Sequence, residues 1–247
     1  MSVDFILTLL FKAPAIILST IVMGLLSLIM SPFDKSGDRQ CKIARMWGKM
    51  LLFAMRLKVT VTGEEKVDPA QNYIFVSNHL SYTDTPVILG NIKTNFRFMA
   101  KSGLFKIPFL GHHLKTANHI PVSLENPREA VKSLTDASRL IKEHRLSVLV
   151  FPEGGRGEGP LQPFREGAAY VAIKSGLPII PMALIGTREA MPMHRIAITG
   201  GKVTIRIGDA ISTEGLTVRD REALTNKLRD AVAELLETPI NTYTQPL

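Results

Sequence analysis

The stretch Phe75-Val-Ser-Asn-His-Leu-Ser-Tyr-Thr-Asp-Thr-Pro86 begins as an apolar run and then turns abruptly polar. A short apolar run that stops at a polar cluster reads as a strand covered on both faces. His79 then stands at the strand's carboxyl end, with Asp84 five residues later, where the proline-containing stretch opens a helix. Two readings compete. The pair is a reaction centre, or it is a strand end beside a helix cap, and for H-x4-D alone the second is the commoner outcome.

Outward from this stretch, short β-rich runs alternate with helical ones. Strands are expected at Lys58–Thr62, Tyr73–Asn78, Phe96–Ala100, His119–Ser123, Ser147–Phe151, Ile179–Leu184 and Val203–Ile207. Helices are expected at Pro86–Gly90, Pro127–His144, Phe164–Ser175 and Asp220–Glu237, with Asn241–Leu247 a frayed tail. The pattern predicts an α/β domain over 58–247, with a mostly parallel central sheet flanked by helices. Such sheets put ligands beyond the carboxyl ends of their strands. Three such ends carry chemistry: Asn78-His79, Lys101, and the loop Pro152-Glu-Gly-Gly-Arg-Gly157.

The first 57 residues have another character. No residue from Ala13 to Phe33 is charged, and Ala13 to Met30 gives 18 residues, the short edge of a membrane span. The opening Met-Ser-Val-Asp lacks the positive region of a signal peptide, and no small-x-small cleavage site follows. A buried core helix of this length would be expected to show a polar face. Seven basic residues and one acidic residue follow between Lys35 and Lys58. On a helix, Ile43, Met46, Trp47, Met50, Ala54 and Leu57 form an apolar stripe, while Lys42, Arg45, Lys49 and Arg56 gather elsewhere. That is the pattern of a helix in the lipid interface. Residues 1–57 are therefore expected to be a membrane-associated two-helix segment. Lys12 and Pro14 interrupt the apolar run and favour a helical pair dipping into one leaflet over a true span.

The totals agree with this division. The 247 residues are 45% hydrophobic, which excludes a disordered chain. A formal charge of +8 suits nucleic acid, anionic lipid or a phosphorylated substrate. The lone Cys41 excludes an internal disulfide framework and fits a reducing compartment. No G-x-S-x-G accompanies His79, and Cys41 is remote from it in sequence, so the nucleophile is expected to be a hydroxyl brought by the substrate. A carboxylate that accepts the second ring N–H fixes the tautomer of such a base. In the loop, Gly154, Gly155 and Gly157 let backbone N–H groups approach an anion, and Arg156 adds a charged fork.

Four blocks in order carry a family resemblance. NHLSYTD resembles the N-H-x4-D block of the glycerolipid acyltransferases, most closely the branch that acylates lysophosphatidic acid. FPEGGRG resembles their F-P-E-G-T-R block, KSGLFKIPFLG with GHHLKTANHIPV the intervening block, and LPIIPMALIGT the later proline-containing strand. Together they run from about Tyr73 to Thr187. Gly155 departs from the family's threonine, and Ser123-Leu124 stand where the family often has a polar residue and arginine. The second departure shifts anion binding onto Lys101 and Arg156, helped by Arg128.

The resemblance implies acyl transfer from acyl-CoA or acyl carrier protein to the sn-2 hydroxyl of 1-acylglycerol 3-phosphate, giving phosphatidic acid. His79 would be the base and Asp84 its orienting partner. Lys101 and Arg156 would hold the acceptor phosphate, Gly154 and Gly155 would line the anion loop, and Glu153 would position Arg156 or the glycerol. Ser81 or a backbone N–H would meet the oxyanion. No metal or redox cofactor is implied. The partners are membrane lipids and the acyl donor, with no nucleic acid. The implied place is the cell membrane, with the catalytic domain on the cytoplasmic side. Two rival readings differ. One changes the acceptor to glycerol 3-phosphate or another lysolipid, and the other makes His112, His113, His119 and Asp84 the metal cluster of a lipid phosphohydrolase.

Overall fold

The computed structural model describes residues 3–123, 126–157, 159–193 and 197–237. Leu124 and the tail from Asn241 lie outside the described residues. In chain order the helices and strands begin with α1 (Val3–Leu7), α2 (Ala13–Met30), α3 (Asp38–Met55), β1 (Leu57–Thr62), β2 (Ile74–Ser77) and α4 (Asp84–Asn91). Then come β3 (Phe96–Lys101), α5 (Leu110–Thr116), β4 (Ile120–Val122), α6 (Pro127–His144) and β5 (Ser147–Val150). The chain continues with α7 (Gly167–Ser175), β6 (Ile179–Ile185), α8 (Thr187–Ala190), β7 (Gly201–Ile207) and α9 (Arg221–Glu237).

The seven strands form one sheet in the order β1-β7-β6-β2-β5-β3-β4. β6, β2, β5, β3 and β4 run parallel, while β7 meets β6 antiparallel and pairs parallel with β1. Among the described residues, the β6–β7 connection over 186–200 holds the one-turn α8. β2 is buried on both faces. Phe75 joins a core with Val87, Ile88, Ile180 and Met182 under α3 and α4. Ile74 and Val76 face Ile141, Ala169, Val171 and Leu228 under α6, α7 and α9. Asn126 caps α6 by accepting the Glu129 N–H at 2.8 Å, with Pro127 in the first turn.

The N-terminal segment differs from expectation in two ways. Lys12 and Pro14 do not break the run: a π-helical turn at Thr8–Lys12 joins α1 to α2, and one helix spans Val3–Phe33, 31 residues. Pro14 lies inside this continuous helix, directly after the π-helical turn that accommodates its missing N–H. The helix is also inverted. Its buried side carries Thr8, Lys12, Ser19, Met23 and Ser27, spaced along one face, while Leu10, Phe11, Leu18, Ile21, Leu25 and Ile29 are exposed. The polar side is bonded along the domain. Lys12 Nζ donates to Ile198 O at 2.5 Å, Trp47 Nε1 to Thr20 Oγ1 at 3.0 Å, and Ser27 Oγ to Gln40 Oε1 at 2.6 Å.

α3 lies between α2 and α4, and its buried residues are Gln40, Cys41, Ile43, Ala44, Gly48, Leu51, Leu52 and Met55. Of the expected apolar stripe, Ile43 and Leu57 are buried, Trp47, Met50 and Ala54 are half-buried, and Met46 is exposed, as is Phe53 beside it. Gly48 lets α4 approach closely: a Cβ there would meet Pro86 O at 3.0 Å. Packing against α2 and α4 therefore takes only part of the apolar surface of α3.

Candidate active site

β2 ends in Ser77, and Asn78 then mimics one more rung of the ladder. Its Nδ2 donates to Leu184 O at 2.9 Å, and its Oδ1 accepts the Leu184 N–H at 2.7 Å. This clamp ties the end of β2 to β6 and lets His79 leave the sheet. The His79 ring stacks on Phe151 with centroids 4.0 Å apart and planes at 11°. Its Nδ1 lies 2.7 Å from Oδ2 of Asp84.

Asp84 is fully buried in the first turn of α4 and does not cap it; the residue before the helix is Thr83. The carboxylate bends back along its own loop. Besides the histidine, Oδ2 accepts the N–H groups of Leu80 at 2.7 Å and Ser81 at 2.8 Å. A carboxylate acceptor assigns the proton to Nδ1 and leaves the lone pair on Nε2. The helix N-terminus adds favourable positive potential for the carboxylate.

The glycine loop is bound to the same histidine. Glu153 Oε1 accepts the His79 N–H at 2.6 Å, Oε2 accepts the Gln162 N–H at 3.1 Å, and Gly157 N–H donates to His79 O at 2.9 Å. Both Glu153 oxygens thus hold main chain, and of the two expected partners, Arg156 or the glycerol, Arg156 is not bonded to it here. Burial pushes the Glu153 carboxyl upward, and the two backbone N–H bonds pull it back. Gly154 turns the chain at φ 76°, and a Cβ there would strike the Arg165 side chain.

Arg156 is exposed. Its Nε donates to Ser81 O at 3.3 Å, and its guanidinium lies over Tyr82, 4.1 Å from the ring centre. Glu153, Gly155, Arg156, Gly157, Gln162 and Arg165 border an open depression of about 700 Å³. Two guanidinium groups therefore rim the glycine loop.

Ser81 joins this cluster through its backbone, and Lys101 and Arg128 stand apart from it. The Ser81 side chain is fully buried; its hydroxyl donates to Met191 O at 2.9 Å and lies 3.2 Å from the Thr83 N–H. The hydroxyl thus braces the loop in this structure. Lys101 is exposed at the end of β3, two strands from β2. Arg128 is exposed in the first turn of α6.

The histidines of the rival metal cluster do not gather on Asp84, although the rings of His113 and His119 lie 5.9 Å apart. Asp84 is taken by His79, His112 Nε2 lies 3.0 Å from Ser31 Oγ, and His113 Nδ1 lies 2.9 Å from Ser27 Oγ. His119 accepts the Phe98 N–H at 2.8 Å. Among the described residues no group of three His, Cys, Asp or Glu side chains is arranged to hold a metal ion. Cys41 is buried, and its thiol is pushed up to about 11 by that burial, so it is a poor nucleophile. Tyr82 and Arg165 carried no assignment from the sequence, and Asn78 and Phe151 stood in the quoted blocks without a role. Only Phe151, next to the glycine loop at a strand end, offered a signal.

A family model described as Acyltransferase matches residues 58–185. The chain belongs to the acyltransferase family. The 1-acyl-sn-glycerol-3-phosphate acyltransferase of Limnanthes alba is 30% identical over 205 residues, 82% of this chain and 72% of that one. The protein of the same name from Haemophilus influenzae is 31% identical over 201 residues, 79% and 82% of the two chains. A Cocos nucifera relative of that name is 29% identical over 81% of this chain, which spans 65% of the relative's length. Among solved structures, the 1-acyl-sn-glycerophosphate (LPA) acyltransferase PlsC of Thermotoga maritima aligns with a TM-score of 0.75 at 28% identity. That alignment covers 94% of this chain and 95% of the other.

Proposed function

We propose that the protein transfers an acyl group from a thioester carrier, coenzyme A or acyl carrier protein, to the sn-2 hydroxyl of 1-acylglycerol 3-phosphate, forming phosphatidic acid. The observation that carries this reading is the bonded set Asp84–His79–Glu153, which joins the two sequence blocks into one site. The names of the relatives support the acceptor.

In this reading Nε2 of His79 takes the hydroxyl proton as the oxygen attacks the thioester carbonyl. The tetrahedral intermediate collapses, the carbon–sulfur bond breaks, and the thiolate leaves with the proton returned from Nε2. Asp84 holds the ring and supports the charge that builds on it. Phe151 fixes the ring plane from below. A backbone N–H of the glycine loop meets the oxyanion, since the Ser81 hydroxyl is committed elsewhere. Arg156 and Arg165 hold the acceptor phosphate, with Lys101 adding positive potential from β3. The second arginine on the depression offers an anion ligand where the block after β4 has none.

Residues 1–57 serve as the membrane seat for the catalytic domain over 58–247. The inverted helix supports entry into one leaflet: its polar side is bonded to the domain from Thr8 to Ser27, so only its outer side is left for lipid. The basic residues from Lys35 to Lys58 favour the cytoplasmic face of the cell membrane. An acyl-transfer assay on vesicles, with lysophosphatidate or glycerol 3-phosphate as acceptor and each thioester donor, tests the reading. Phosphatidate made only from lysophosphatidate supports it. Transfer to glycerol 3-phosphate alone would move the protein to another acceptor.

A further inference from the structure

The segment between β3 and α5 presents apolar side chains that the fold does not use. Leu104, Ile107, Phe109 and Leu110 are all exposed, Phe109 at 72%. The segment is nevertheless built and held. Phe105 is buried, and Gly111 folds α5 back so closely that a Cβ there would strike Phe105 O. Phe109 has φ 61° and ψ −55°, and Leu110 N–H donates to Pro108 O at 2.7 Å. This is the rare classic γ-turn, a strained conformation for a residue with a side chain. Strain that holds an aromatic outward has no folding rationale.

Two neighbours identify what covers it. α5 is bonded to the helix of residues 3–33 through Ser27–His113 at 2.9 Å and Ser31–His112 at 3.0 Å. The segment therefore extends the surface formed by Leu25, Ile29 and Phe33, all exposed. The charge is one-sided as well. From Arg97 to Ser123 the chain has no acidic residue, while Lys106, directly before Ile107, and Lys115 on α5 are exposed. Apolar tips flanked by lysine suit acyl chains below anionic headgroups.

We propose that Leu104–Leu110 is a second membrane-inserting element, which enters the same leaflet as the N-terminal helix with Lys106 and Lys115 among anionic headgroups. This rests on the membrane reading above. Two contacts on one leaflet fix the rotation of the domain about the helix. The segment leaves β3 at the carboxyl edge of the sheet, so it draws the edge that carries His79 toward the lipid surface. A lysolipid then reaches the site without leaving the bilayer.

The test uses the whole chain, whose single tryptophan is Trp47. In a Trp47→Phe background, Phe109→Trp and Leu25→Trp each place one reporter. Vesicles of anionic phospholipid with brominated acyl chains should quench both and shield both from an aqueous quencher. Ile107→Ser with Phe109→Ser should weaken vesicle binding roughly tenfold or more. Quenching of the Leu25→Trp reporter alone would overturn the inserting segment and leave the membrane seat standing; quenching of neither would remove both. A Phe109→Trp emission that shifts with protein concentration in the absence of vesicles would make the surface a contact between copies and also overturn the proposal.

Discussion

Oε1 of Glu153 accepts the backbone N–H of His79 at 2.6 Å, while the same histidine's carbonyl accepts the Gly157 N–H at 2.9 Å. The glycine loop and the histidine loop thus hold each other through one side-chain and one main-chain bond. The proposed role of the glutamate of the E-G-G-R block is to position the base.

Glu153→Gln tests that role. An amide has one acceptor oxygen for two N–H groups, so its NH₂ must oppose the donor of His79 or of Gln162. A buried donor left without a partner costs about 1–3 kcal/mol. If that cost falls on the geometry of His79, kcat drops about 10- to 100-fold while KM for the acceptor holds. Steady-state kinetics separates the two; a rise in KM with kcat intact would make Glu153 a substrate ligand.

Asp84→Asn removes the charge and keeps the size. The amide nitrogen can face Nδ1 and select the wrong tautomer, so transfer should fall by about 10³- to 10⁴-fold with KM little changed. The folded signal in circular dichroism should remain. A loss below tenfold would mean that Asp84 serves the loop and not the reaction.

The strand–helix alternation carried most of the architecture in advance. β2 and β5 are apolar on consecutive residues because both faces are covered, and Pro127 marks α6 with no need of tertiary information. Two features were hidden. The inverted face of the first helix could not be read, because Thr8, Lys12, Ser19 and Ser27 acquire meaning only from partners such as Ile198 and Gln40, far away in the chain. The apolar stripe of α3 was read without knowing that α2 and α4 lie on either side of it. At the site, the histidine and glycine-loop blocks were legible as residue types at strand ends. Their mutual bonds were not, since each ends on the backbone of His79, which leaves no trace in side-chain pattern.

The phosphate site predicts a kinetic signature. Arg156→Ala and Arg165→Ala should each raise KM for the phosphorylated acceptor about 10- to 100-fold, the size of a charged hydrogen bond. The donor's KM should stay within about twofold. An unchanged acceptor KM in either variant would remove that arginine from the site.

His119 predicts a pH dependence of stability. Burial pushes it from 6.5 down to about 3, and its Nδ1 accepts the Phe98 N–H at 2.8 Å, as only an unprotonated nitrogen can. The folded value is the lower one, so this contribution is present above 6.5 and is lost as pH falls toward 3. One proton corresponds to about 1.4 kcal/mol per pH unit. Chemical unfolding of the wild type and of His119→Asn across that window should show the wild type's stability falling more steeply with acid, by up to this slope. Parallel curves would place the titrating ring elsewhere.

The central claim is that Nε2 of His79 removes the acceptor's proton. The most direct measurement is the rate of phosphatidate formation by purified His79→Ala on vesicles with saturating lysophosphatidate and thioester, alongside its vesicle binding. Loss of a positioned general base predicts a rate lower by at least about 10² to 10⁴, with folding and membrane binding retained. A rate within tenfold of the wild type would contradict the account.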